Sequence, residues 1–158
     1  MYLIVDSGST KTDWFAVDPS GEVLFSTQTL GLNPQVLSSA ILNERISINY
    51  QIYSNRDEVA HLYFYGAVLG IQSPVDRILK VFKEIFTNCK FIIKEDTYAA
   101  VYSTAAMHEP SIVCILGTGS NCSYFDGNEI EQRVISLGYI LMDAGSGNFF
   151  VKQLVRGY

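Results

Sequence analysis

Basic side chains are scarce in this sequence, with 11 lysines and arginines facing 16 aspartates and glutamates for a net charge of -5. That balance offers no basic face, so neither nucleic acid nor an anionic membrane surface is expected as a partner. Cysteine is sparse too. Cys89, Cys114 and Cys122 form an odd, widely spaced set that matches no disulfide framework and no zinc or iron–sulfur spacing, which leaves buried, reduced thiols as the expectation. His61 and His108 lie far apart, without an acid or thiol at metal-ligand spacing, and carry no assigned chemistry. No apolar run approaches the ~18 residues that cross a bilayer, and the segment 1–5 is too short and uncharged for a signal peptide. The default is a soluble cytoplasmic protein. What the chain does have is apolar residues, 48% of its 158 positions, enough for one core of ordinary size and part of another.

Short β-branched and aromatic runs at Tyr2–Val5, Trp14–Val17 and Val23–Thr27, with Asp18-Pro19-Ser20-Gly21 as a turn, predict a three-stranded meander. Asn33-Pro34 predicts a helix start, with Asn33 as cap and Leu37, Ala40 and Ile41 on one face. Residues 47–57 show no clean period. Leu62–Tyr65 reads as a buried strand running into the glycine-rich 66–70. Ser73-Pro74 then opens an amphipathic helix carrying Val75, Ile78, Leu79, Phe82, Ile85 and Phe86. Phe91–Lys94 follows as a strand and Tyr98–Met107 as a helix. Strands alternating with helices after a meander predict an α/β domain with a mixed sheet.

At Ile112–Leu116 the pattern restarts. This strand meets Gly117-Thr118-Gly119-Ser120 where the first copy has Asp6-Ser7-Gly8-Ser9, and Ser123–Phe125, the Asp126-Gly127 turn and Ile130–Ile135 complete a second meander. A loop at 138–147 leads to a closing helix with Phe150, Val151, Leu154 and Val155 as its apolar face. The expected organisation is one domain over 1–110 and the beginning of a duplicated second domain over 111–158. A complete protein of this kind is expected to be longer, making this chain a truncated gene product.

Asp6-Ser7-Gly8-Ser9-Thr10-Lys11-Thr12 supplies a carboxylate, hydroxyls, exposed backbone N–H groups and an ammonium in one tight turn. Those are the parts of a phosphate grip, since glycine admits close anion approach and successive N–H groups form an anion nest. A carboxylate beside phosphates calls for a cation between them, so Asp6 implies Mg²⁺, held through water. An ordinary polar hairpin would show the same residues. The second loop, 117–121, suggests that two glycine-hydroxyl turns share one triphosphate; neither is a P-loop or a dinucleotide fingerprint. Asp96, between a strand and a helix, is placed either to cap the helix or to accept a proton from an attacking hydroxyl. Asn33 is a cap or a sugar-hydroxyl ligand, and Asp143 a turn former or a hydroxyl acceptor.

Asp-Ser-Gly-Ser-Thr-Lys-Thr-Asp-Trp at 6–14, Leu-Gly-Thr-Gly-Ser-Asn-Cys at 116–122 and Leu-Gly-Tyr-Ile-Leu at 137–141 resemble, in order, motifs of the N-acetylglucosamine kinases and BadF/BcrA-type ATPases of the actin-like sugar kinase superfamily. The resemblance is to their N-terminal portion. It implies an actin-like (ribonuclease H-like) α/β domain with a mixed five-stranded sheet and flanking helices. It further implies ATP contacts from Thr10 and Thr118 within the 6–12 and 117–121 loops, Asp6 near Mg²⁺, and Asp96 as the base at the sugar 6-hydroxyl. Asn33, Ser120, Asn121, Asp143 and the backbone of Ser136, Leu137 and Gly138 fall where that family binds the amino sugar. A small-molecule sugar is the implied partner, with a homodimer left open. Met142-Asp143-Ala144-Gly145-Ser146 stands where the family usually reads Gly-Asp-Glu-Gly-Ser, and Leu137 where mammalian-type members carry Trp, so sugar identity stays open.

Overall fold

The computed structural model describes residues 1–8, 10–66, 72–106, 108–117, 120–131 and 144–157. Two compact units divide the chain, Met1–Asp96 and Thr97–Tyr158.

In the first unit, β1 (Tyr2–Ser7), β2 (Lys11–Val17) and β3 (Val23–Leu30) form the antiparallel meander, and β4 (His61–Gly66) and β5 (Lys90–Glu95) extend it in parallel from the other side of β1. The order β3-β2-β1-β4-β5 makes the expected mixed five-stranded sheet. Strand alternation decides which face is buried. Leu3 and Val5, Trp14 and Ala16, and Leu62 and Phe64 point to one side, where they meet Leu42 and Ile46 of α1 (Ser39–Ser47) and Ile78, Val81 and Phe82 of α3 (Gln72–Ile85). Phe82 packs at 5.2 Å from Phe64 and stacks at 6.1 Å on Phe91, tying helix to sheet through aromatic contacts. On the opposite face Ile4 and Phe15 stay about two-fifths exposed, at 39% and 42%.

The β2–β3 turn of the meander is built as its residues dictate. Asp18 Oδ1 accepts from the Ser20 and Glu22 N–H groups, and Gly21 takes φ +93°. The helix expected at Asn33-Pro34 begins later, at Ser39. Asn33 Oδ1 accepts from Gln35 N–H at 2.9 Å, closing a local turn, and Arg77 of α3 takes the Pro34 and Leu37 carbonyls. Ser38 caps α1 instead, through Ile41 N–H. The 47–57 segment, which shows no clean period, holds α2 (Tyr50–Ser54), capped by Asn49, and the start of a 3₁₀ turn at Arg56–Glu58. Only Ile52 of these is buried, so there was no apolar period to read.

The second unit opens with α4, a helix that spans Asp96–Thr104 and so starts on the last residue of the first unit. The strands β6 (Ser111–Leu116), β7 (Ser120–Phe125) and β8 (Ile130–Glu131) follow as an antiparallel sheet, β6-β7-β8, repeating the connectivity of β1-β2-β3. The expected continuation of β8 through residue 135 lies outside the described residues. Gly127 turns the second hairpin at φ +101°, and a Cβ there would fall 2.9 Å from the His108 carbonyl carbon. The closing helix α5 (Gly147–Arg156) is capped by Ser146, whose Oγ accepts from Phe149 N–H. Its expected apolar face exists, but Phe150, Val151, Leu154 and Val155 are 57–72% exposed. Burial of all three cysteines was also not met. Cys89 is half-buried, while Cys114 and Cys122 are exposed because the alternation of β6 and β7 turns them away from Ser123 and Phe125. Among the described residues, no helix is long and apolar enough to cross a membrane.

Candidate functional site

The first unit gathers its chemistry at the C-terminal ends of its parallel strands, where open α/β sheets hold ligands. Register aligns a polar row across all five strands. Asp6 pairs with Asp13 of β2 and Tyr65 of β4, Asp13 pairs with Gln28 of β3, and Tyr65 with Lys94 of β5. Paired residues share a face, and this row lies on the side away from Leu3, Val5 and the helices. Glu95 ends β5 in line with Ser7 and Gly66, and Asp96 follows it as the first residue of α4.

Asp6 and Asp96 are close enough to feel one another. Partial burial, then the Asp96 and Asp13 charges, push the Asp6 carboxyl above the usual carboxylate range, and Lys11 pulls it back only in part. Lys11 is committed elsewhere, since its Nζ lies 2.8 Å from Asp13 Oδ2 and Gln28 Nε2 donates to Asp13 Oδ1 at 2.6 Å. That pairing raises the Lys11 pKa and lowers that of Asp13. The sequence assigns no role to Asp13 or Gln28, although the i, i+2 spacing of Lys11 and Asp13 on one strand face is the available signal.

The β1–β2 turn is narrow and firmly seated. Gly8 N–H donates to the Lys11 carbonyl at 3.0 Å, and the Thr10 carbonyl accepts from Gly31 N–H at 2.9 Å. Gly8, Thr10 and Lys11 are exposed, whereas Thr12 is fully buried and its hydroxyl bonds Ser7 Oγ at 2.8 Å. Ser7 Oγ also accepts from Leu32 N–H at 3.2 Å, anchoring the chain just before Asn33. Of the proposed loop, then, Thr12 braces the turn while Gly8, Thr10 and Lys11 line its surface. Gly8 does not need to be glycine for the fold: its φ is not positive, and a Cβ would meet only Lys11 O, at 3.6 Å. Ser9 lies outside the described residues.

A cation fits beside Asp6 on electrostatic grounds, because converging carboxylates are disfavoured until a positive charge separates them. No group of three or more His, Cys, Asp or Glu side chains among the described residues forms a ready metal cage. Any ion here would fill its shell mainly with water and phosphate oxygens, the usual habit of Mg²⁺.

In the second unit, Ser120 and Asn121 open β7, and Asn121 Oδ1 accepts from Ser123 Oγ at 3.0 Å. Gly147 N–H donates to the Gly117 carbonyl at 2.8 Å, and a Cβ on Gly145 would come within 3.2 Å of Leu116 Cδ2 and 3.6 Å of Ser120 Oγ. The 144–147 segment therefore lies directly against the glycine hairpin. Thr118, Ser136, Leu137, Gly138 and Asp143 lie outside the described residues.

No family model matches the chain. Among solved structures, a Porphyromonas gingivalis protein assigned as an N-acetylglucosamine kinase is 34% identical with a TM-score of 0.85, matching 99% of this chain and 57% of its own. A Chromobacterium violaceum protein with the same assignment is 14% identical (TM-score 0.62; 97% of this chain, 55% of that one). A ROK-family glucokinase from Streptomyces griseus, solved with glucose and AMPPNP, is 17% identical (TM-score 0.58; 84% and 46%). The chain thus spans about half the length of these three proteins, 46–57%. Sheet order, meander and restarted second meander together give this chain the fold of the actin-like sugar kinases.

Proposed function

We propose that this chain is the phosphate- and sugar-binding portion of an ATP-dependent sugar kinase of the N-acetylglucosamine kinase type, within the BadF/BcrA-like branch. The observation that carries the reading is the placement of two carboxyls, Asp6 and Asp96, at the C-terminal ends of parallel strands of one sheet, with an exposed glycine-hydroxyl turn after the first of them. The 34% identity to the P. gingivalis protein supports it. In this reading the backbone of Gly8 and Ser9, the Thr10 hydroxyl and Lys11 hold ATP phosphates, with Thr118 as a further contact. Mg²⁺, when bound through water to Asp6, would offset phosphate charge. Asp96 accepts the proton of the sugar hydroxyl as its oxygen attacks the γ-phosphorus, while the bond to the β–γ bridging oxygen breaks and ADP leaves. Asn33, Ser120, Asn121, Asp143 and the Ser136–Gly138 backbone hydrogen-bond the sugar. Use of ATP assigns the activity to the cytoplasm.

ADP release with Mg·ATP and a panel of hexoses and N-acetylhexosamines tests this. Asp96→Asn is expected to lower turnover about 10²–10⁴-fold, the usual range for losing a general base; turnover that survives the substitution sinks the assignment. Ala144, in place of the glutamate usual in the family it resembles, favours one second reading, a sugar or nucleotide sensor without catalysis. Calorimetric sugar binding with no ADP release would select it.

A further inference from the structure

Two of the three cysteines occupy a geometry that the phosphoryl-transfer reading does not use. Cys114 of β6 and Cys122 of β7 are direct cross-strand partners in the antiparallel register, and the Cys114 S–H donates to Cys122 Sγ at 3.4 Å. Directly opposed residues of an antiparallel pair have Cα atoms about 4.5–5.5 Å apart, within the span a disulfide bridges, and the bond itself needs about 2.05 Å between sulfurs. Rotation of the two side chains closes the remaining gap without moving the strands apart. Both thiols are exposed, on the face that also shows Ile112, Leu116 and Tyr124, so a small oxidant reaches them from solvent. Cys89 differs in being half-buried and remote from a second thiol in sequence. Burial pushes its thiol up to about 11, and it donates to the Lys90 carbonyl at 3.4 Å.

We propose that Cys114 and Cys122 are a redox modification site, forming a reversible cross-strand disulfide by exchange with a low-molecular-weight disulfide of the glutathione type. In the first step the thiolate of one cysteine attacks a sulfur of the oxidant, whose S–S bond breaks and releases one small thiol. The second cysteine then attacks the protein sulfur of the mixed disulfide and releases the other small thiol. Two protein thiols lose two electrons and two protons in all, and the oxidant gains both. The resulting ring encloses residues 115–121, so oxidation staples the two ends of the Gly117–Ser120 hairpin. This inference does not depend on the kinase reading.

The test equilibrates the reduced chain with excess oxidised glutathione, quenches in acid, then denatures and alkylates. Alkylatable thiols are expected to fall from three to one, Cys89, and dithiothreitol restores all three. The tryptic peptide 95–133, which holds both cysteines, should be lighter by two hydrogens and carry no glutathione. A Cys122→Ser chain should instead hold a glutathione adduct on Cys114. Three alkylatable thiols in the oxidised wild-type sample, or stable glutathione adducts on both residues, overturn the proposal, and the wild-type peptide decides the matter even if the variant fails to fold.

Discussion

Gly8 separates folding from function at a single atom. Its backbone φ is accessible to any residue and the nearest neighbour of an added Cβ sits at an ordinary 3.6 Å, so nothing within the chain demands glycine there. The Gly8→Ala variant should therefore unfold within about 0.5 kcal/mol of the parent in denaturant, as surface substitutions do. If the exposed turn holds phosphates, the same methyl stands where an anion must approach, and Mg·ATP affinity measured by calorimetry should fall at least about tenfold, or ~1.4 kcal/mol. Asp6 runs the other way. Its folded-state pKa is raised, so its favourable contribution is present below the unfolded value of about 3.9 and is lost as pH rises through the higher folded value. At pH 7 the ionised carboxylate costs stability, and Asp6→Asn should be more stable than the parent by less than about 1 kcal/mol, given solvent screening. Chemical denaturation at pH 7 and pH 3.5 checks this, because the advantage should vanish at the lower pH. The glycine and the aspartate both read as residues of one turn in the sequence, yet only Gly8 lies in it and Asp6 belongs to β1. Their different standing is not legible there, since it depends on what surrounds each one.

The two hairpin turns look alike in sequence and differ as elements. Gly21 and Gly127 both take positive φ, but a Cβ at Gly21 meets nothing within 4 Å, while one at Gly127 meets the His108 backbone at 2.9 Å. Gly21→Ala should cost about 1–2 kcal/mol, the strain of a left-handed residue alone. Gly127→Ala adds a backbone clash to that strain and should cost clearly more, with a correspondingly lower thermal midpoint. Equal losses at the two sites would show that the His108 contact yields freely. Elements with a strong period, such as α3 and the first meander, were legible from apolar spacing because burial and periodicity are the same signal there. The start of α1 was not. Asn33-Pro34 carries every local mark of a helix cap, yet Arg77, more than forty residues along the chain, engages the carbonyls that the helix would have needed, and Ser38 takes over the cap.

At the scale of the whole molecule, two stretches of the second unit's described surface are apolar. Phe150, Val151, Leu154 and Val155 of α5, and Ile112 and Leu116 of β6, are all more than half exposed. Exposed apolar patches of this kind mark contact surfaces. The 158-residue chain should therefore sediment as a concentration-dependent mixture, and Leu154→Asp should shift it toward monomer; a strictly monomeric parent at high concentration would contradict the expectation. By itself the sequence determined which segments are strands, that a meander is followed by strand–helix alternation and then restarts, and which turns carry glycine, hydroxyl and carboxylate together. Each of these follows from local period and turn chemistry. Only the tertiary structure decided that Gln28, Asp13, Asp6, Tyr65 and Lys94 form one row, that Thr12 is a brace, and that Cys114 meets Cys122. Strand register is a long-range choice made by burying Leu3, Val5, Trp14 and Phe64 on one face, and a slip of one residue would turn the whole row over. The Asp6 turn is thus written in the sequence, but the charges that surround it are a property of the sheet.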